Sequence, residues 1–220
     1  MSEIIDECLR KALSREVEKP KQGWYYPSLL PSCLLRQYWI YREGHTVSLE
    51  KSGIFKIGEL FHDFLTEALK KNENLKVETE KPVTLAIKYN DRWIRLSGRI
   101  DAVLDLNEEK FIVEVKSISK LPNEPLDHHV MQVQPYMLAL GVQKAVVLYL
   151  DKTDLTWCVF EVYYNPDLLE KIIERAVTLD RTLMDGKAPI AEPSWECKYC
   201  EFWERCNQKK GEKYEGCGGC

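Results

Sequence analysis

Two short stretches of this sequence put charge where a β-strand interior should be apolar, and that conflict narrows the possible folds more than any other feature. Asp101 lies in Leu96-Ser97-Gly98-Arg99-Ile100-Asp101-Ala102-Val103, where a carboxylate among Ile, Ala and Val is costly unless something pairs with it. Ile112-Val113-Glu114-Val115-Lys116 repeats the oddity. Period-two geometry places Glu114 and Lys116 on one face of their strand, opposite Val113 and Val115. An acid on one strand beside an acid and a lysine on the next suits phosphodiester cleavage. The carboxylates offer hard oxygen ligands to Mg²⁺ or Mn²⁺, and the lysine positions water or neutralises charge growing on the phosphate. Taken alone, Glu114 and Lys116 read better as a cross-strand surface pair on a half-solvated sheet.

The surrounding pattern alternates helices and strands. A short helix from the Ile4 region is followed by a loop through Pro20 and Gly23, then a helix from Ser32, its N-cap, to Ile40. Apolar residues at Ile54, Ile57, Leu60, Phe61, Phe64, Leu65, Ala68 and Leu69 form the stripe of an amphipathic helix over 54–71, with His62 beside it as a possible imidazole ligand. Strands follow at 83–89, 93–106 and 111–117, joined as a meander by turns at Asn90-Asp91 and Asn107 to Glu109. A helix over 128–140, kinked by Pro135 and ended by Gly141, carries Gln132 and Tyr136 one turn apart on a shared face. Strands at 145–150 and 156–163 and a helix over 166–184 complete the periodic part. From Lys187 onward the chain lacks periodicity and needs something other than a hydrophobic core to fix it.

Eight cysteines are many for a chain of 220 residues with no basic-then-apolar leader and no long apolar run, features that point to an intracellular, cytoplasmic protein. Cys197, Cys200 and Cys206 give three thiolates in one compact segment, and a closed site needs a fourth. Cys8, Cys33, Cys158 and the Cys217/Cys220 pair are the candidates. Zinc and an iron–sulfur cluster both accept four cysteines, and spacing does not separate them. Cys8 and Cys158 read as small buried residues, and Cys217/Cys220 as part of a tail over 207–220. A net charge of −4 argues against a protein that coats nucleic acid, but not against an enzyme with a basic groove. Trp24-Tyr25-Tyr26, Arg36-Gln37-Tyr38-Trp39 and Arg42 mix cations with rings, as single-strand binding or a core would require. Trp195, Tyr199 and Trp203 read as a shield for the cysteines.

In order and approximate spacing, Gly58-x-x-x-His62, Gly98-Arg99-Ile100-Asp101, Glu114-Val115-Lys116 and Gln132-x-x-x-Tyr136 resemble the RecB-like branch of the PD-(D/E)XK nucleases. The resemblance implies an α/β, restriction-endonuclease-like core with a mixed central sheet flanked by helices. It implies a divalent Mn or Mg ion held by His62, Asp101, Glu114 and the main-chain carbonyl of Val115, with Lys116 as catalytic lysine and Gln132 and Tyr136 orienting substrate. One cysteine before the core and three after it resemble the CRISPR-associated RecB-like nucleases that accompany the spacer-integration machinery. That likeness, over about 26–206, selects Cys33 with Cys197, Cys200 and Cys206 for an iron–sulfur cluster, [4Fe–4S] rather than [2Fe–2S]. It implies one domain over 1–206, with a catalytic core of about 54–165 and cluster-binding segments of about 24–45 and 187–206. The implied activity is exonucleolytic, on single-stranded DNA from the 5′ end, trimming DNA for spacer acquisition. The implied partners are single-stranded DNA, the integration proteins and, optionally, further copies of the chain. A DNA-end-binding module with a cluster and little catalysis is the competing reading.

Overall fold

The computed structural model describes residues 2–15, 17–107 and 109–208; Cys217, Cys220 and most of the expected tail lie outside the described residues. Along the chain run α1 (Ser2–Leu13), β1 (Trp24–Tyr25), α2 (Leu34–Glu43), α3 (Leu49–Lys70), β2 (Lys76–Tyr89), β3 (Arg92–Leu106), β4 (Glu109–Ile118), α4 (Asp127–Leu140), β5 (Lys144–Asp151), β6 (Trp157–Tyr163), α5 (Pro166–Asp185) and α6 (Trp203–Gln208). A single 3₁₀ turn, Trp195–Tyr199, precedes α6.

The fold is α/β, a mixed six-stranded sheet flanked by helices. The strands β2, β3 and β4 form the expected antiparallel meander, longer than the apolar runs indicate because β2 extends back to Lys76. A parallel β4–β5 pair, bridged by α4, and an antiparallel β5–β6 pair extend it. Parallel pairing needs a crossover long enough for a helix, and α4 supplies it. The short β1 runs parallel to Arg95 and Leu96, along the β3 edge that further on pairs with β4 from Ala102.

The two faces of the sheet read off the alternation. Ala102, Leu104, Val113, Val115, Leu148 and Leu150 pack beneath Phe61, Leu65 and Leu69 of α3. On the other face Ile112, Val147 and Tyr149 meet Val133, Tyr136 and Met137 of α4. A separate cluster joins α2 and α5 to Tyr25, Ile94 and Leu96, and the rings of Tyr25, Tyr38 and Trp39 are core residues, not a surface for stacking bases. There the Tyr25 hydroxyl donates to buried Asp180 (2.6 Å), which also pairs with Arg92.

Several local expectations are corrected. Ser32 does not cap α2; its hydroxyl donates to the Leu29 carbonyl, and Cys33 occupies the N-cap without a side-chain cap bond. The orphan N–H of Leu34 instead donates to the Glu192 carboxylate (2.7 Å), a distant group that satisfies both the free donor and the helix dipole. The first helix stops at Leu13, and Cys8 on it is exposed, whereas Cys158 is half-buried with its thiol near the Pro122 carbonyl. Pro135, expected to kink its helix, lies inside an α4 that is continuous from Asp127 to Leu140. The α3 stripe is only partly covered: Ile54, Ile57, Leu60 and Phe64 are exposed. The segment after Lys187 contains a 3₁₀ turn and α6 rather than loop alone.

Candidate active site

Asp101 sits where the sheet opens. The β3–β4 ladder ends at Ala102–Val113, so the main-chain N–H of Val115 has no carbonyl opposite it and donates to the Asp101 carboxylate instead (2.7 Å). By the same register Glu114 faces Asp101 across the gap. Burial, then the negative charge of Glu114, push the Asp101 carboxyl well above the usual carboxylate range, against the pull of the Val115 N–H and Lys116.

Lys116 and Glu114 share a face, as the period-two reading requires. The Lys116 ammonium donates to Glu114 Oε1 (2.8 Å) and to Gln132 Oε1 (2.9 Å), while Gln132 Nε2 donates to the same Glu114 oxygen (2.6 Å). This closed triangle fixes the lysine with α4 as its brace. The other Glu114 oxygen, Oε2, is buried without a hydrogen-bond partner, although Glu114 is only 3% exposed. A bare buried carboxylate oxygen is costly and calls for a cation.

The remaining expected residues converge here. His62 of α3 places Nε2 3.3 Å from the Val115 carbonyl and Nδ1 3.5 Å from Asp101 Oδ1. Tyr136, buried on α4, lies over Gly98, where any side chain would overlap its ring. Burial and then Glu114 raise its phenol pKa above the ordinary value. Two residues were missed. Glu80 of β2 groups with His62 and Asp101, one ligand atom from each lying within 4.8 Å of the others. His129 bonds the Tyr149 hydroxyl through Nδ1 (2.9 Å), and burial, then Lys116, pull its pKa down to about 2, so it stays neutral beside the lysine.

His62, Asp101 and Glu80 bring one imidazole and two carboxylates close enough for a single divalent ion of the Mg²⁺ or Mn²⁺ type, and Glu114, outside that trio, adds a buried carboxylate oxygen without a hydrogen-bond partner. The cysteines form a second constellation. Cys33, Cys197, Cys200 and Cys206 line one cavity with Trp39 and Trp203, and the Ser194 N–H donates to Cys197 Sγ (3.4 Å). Burial raises the Cys200 thiol pKa. Trp203 borders this cavity as expected, but Trp195 and Tyr199 are each 62% exposed and do not shield it. Four thiols around one space fit a tetrathiolate group, iron–sulfur or zinc.

A model of the PD-(D/E)XK nuclease superfamily matches residues 56–207. The chain is also 30% identical over 154 residues to the CRISPR-associated exonuclease Cas4 of Saccharolobus solfataricus, across 70% of this chain and 71% of that protein. The chain belongs to the Cas4 family of PD-(D/E)XK nucleases. Its fold is similar to that of SSO0001, with a TM-score of 0.71 at 24% identity over 94% of this chain and 97% of that one. LHK-Exo in complex with dAMP shares the fold at a TM-score of 0.52 and 14% identity, over 75% and 90% of the two chains. The matched nuclease span of this Cas4-family chain runs from α3 into α6, enclosing the carboxylates and Cys197, Cys200 and Cys206 and leaving Cys33 outside it.

Proposed function

We propose that this chain is a metal-dependent exonuclease that digests single-stranded DNA from the 5′ end and trims DNA for CRISPR spacer acquisition in the cytoplasm. The observation that carries the reading is the meeting of Asp101, Glu114 and Lys116 at a break in the sheet, with a buried carboxylate oxygen left over. His62, Asp101, Glu114 and the Val115 carbonyl would hold a Mn or Mg ion, which supplies Lewis acidity toward a phosphate oxygen and acidifies water. Lys116 neutralises charge developing on the phosphate and aims the attacking water. Gln132 keeps Lys116 on station, and with Tyr136 one turn along α4 it orients the substrate. In support, the relative named above is itself called a CRISPR-associated exonuclease. Spacer-integration proteins and further copies of the chain are the proposed partners. No helix among the described residues is long and apolar enough to cross a membrane.

Strands labelled at either end test the assignment. With Mn²⁺, wild-type protein should release the 5′ label first and spare duplex, while Asp101→Ala leaves the strand whole. Equal digestion by Asp101→Ala, or faster loss of a 3′ label, would contradict it.

We further propose one domain over 1–206, its catalytic core at about 54–165 closed by a [4Fe–4S] cluster on Cys33, Cys197, Cys200 and Cys206, from the flanking segments 24–45 and 187–206. Two ion pairs already join these segments, Arg36 with Glu201 and Arg205 with Glu43, and Arg175 of α5 bridges them by pairing with Glu192 and donating to the Leu30 and Ser32 carbonyls. The cluster thus closes a long loop between ends that are pre-aligned. Protein purified without oxygen should be brown, carry iron and lose both on Cys33→Ser. Colourless protein bearing zinc would overturn the iron assignment.

A further inference from the structure

Glu80 occupies an unusual place. The β2–β3 ladder pairs Thr79 with Ala102 and Lys81 with Ile100, so Glu80 stands opposite Asp101. Continued one step past its last pair, Ala102–Val113, the β3–β4 register brings Glu114 toward Asp101 on the other side. Three carboxylates therefore lie in one row across three neighbouring strands, an arrangement in which like charges repel unless a cation joins them. At Glu80 the backbone turns left-handed, with φ of 54°, in the middle of a strand rather than in a turn. A non-glycine residue in that region is strained, and such strain collects where a side chain must be aimed.

Its aim is toward His62 and Asp101, whose ligand atoms lie within 4.8 Å of its own. On the strand beyond Asp101, Glu114 Oε2 is buried without a hydrogen-bond partner and offers an independent oxygen donor for a cation. Glu80 is meanwhile ion-paired with Arg99, a side chain 70% exposed. Exposed pairs of this kind are weak and exchange readily.

We propose that Glu80 is a further side-chain ligand of the divalent ion, and that Arg99 holds this carboxylate in the metal-free protein and gives it up when the ion binds. This rests on the nuclease reading of the site and extends it to a residue outside the family's four motifs. Arg99 is then a competitor of the ion: it offsets the charge of one carboxylate in an otherwise repulsive row, and it lowers the affinity for metal.

Mn²⁺ titrations of the full-length protein, followed by calorimetry and by the electron-spin resonance of free Mn²⁺, test the idea. Glu80→Gln should weaken Mn²⁺ binding about tenfold, at the lower end of what loss of a metal-supporting group costs. Arg99→Ala should tighten binding several-fold, and that gain should vanish in the Glu80→Gln background. Glu80→Gly, which suits the left-handed backbone, should melt no lower than wild type in EDTA yet bind Mn²⁺ as weakly as Glu80→Gln. Wild-type affinity in Glu80→Gln, or an equal gain from Arg99→Ala in both backgrounds, would overturn the proposal. Should Asp101→Ala also bind Mn²⁺ like wild type, the carboxylate site as a whole is wrong, not only the assignment of Glu80.

Discussion

Lys116→Ala should reduce single-strand cleavage by about 10³-fold, within the range spanned by positioned proton-transfer and charge-stabilising groups, with little change in the affinity for DNA. The Lys116 side chain is 20% exposed, enough to meet a phosphate, yet its ammonium is fixed by bonds to Glu114 and Gln132 rather than free to wander. Removing it also leaves Glu114, only 4% exposed at its side chain, without its cation. Metal-free Lys116→Ala should therefore melt lower than wild type, because an unpaired buried carboxylate costs on the order of 3 kcal/mol. Saturating Mn²⁺ should restore much of that stability, since an ion in the site replaces the lost charge, but should not restore cleavage. Lys116→Arg should not rescue cleavage either, because a planar fork cannot occupy the single point where Glu114 and Gln132 converge. Melting curves with and without Mn²⁺, beside single-turnover rates, separate these effects. Retained cleavage in Lys116→Ala would remove the lysine from the chemistry.

The parts of the site written in short-range periodicity were legible in advance. Alternation put Glu114 and Lys116 on one face, and helical spacing put Gln132 and Tyr136 on one side of α4, where Gln132 indeed meets Lys116. The misses are long-range. Ser32 has a good capping side chain, but the donor at the start of α2 is taken by Glu192, distant in sequence, and no local preference reports such a partner. The two residues of β1 are too few to carry an alternation.

Glu80, by contrast, is tied to the site by a short-range signal. The hairpin pair Tyr89–Arg92 leaves a two-residue loop with Asn90 left-handed, and such a loop fixes the strand register. Counting back from it sets Glu80 against Asp101. The turn shows in its composition, and the register it sets runs on to acidic Glu80 in the far half of β2.

Gly98→Ala should lower both stability and activity, although its backbone needs no glycine-only conformation. What the position needs is space. A Cβ there would land on the Tyr136 hydroxyl, with the ring carbons Cζ and Cε1 at 2.8 and 2.9 Å, closer than carbon atoms tolerate. Tyr136 cannot swing aside, because it is 3% exposed and packed with Val133 and Met137 inside the core beneath α4. The strain should pass into α4, at a cost of about 1–3 kcal/mol for overpacking, or several degrees in melting temperature for a chain of this size. One turn earlier on the helix, Gln132 would shift off Lys116, and a misplacement of about 1 Å in a catalytic group can cost on the order of 10²-fold in rate. Tyr136→Phe in the Gly98→Ala background removes the hydroxyl but keeps the ring carbons, and should recover only part of the stability. Tyr136→Leu in that background should recover more, because the two substitutions share one contact and cannot add. Melting temperatures for the four combinations of Gly98→Ala and Tyr136→Leu measure that coupling. If Gly98→Ala alone melts and cuts like wild type, the glycine of the Gly98-Arg99-Ile100-Asp101 segment has no part in seating Tyr136 over the carboxylates.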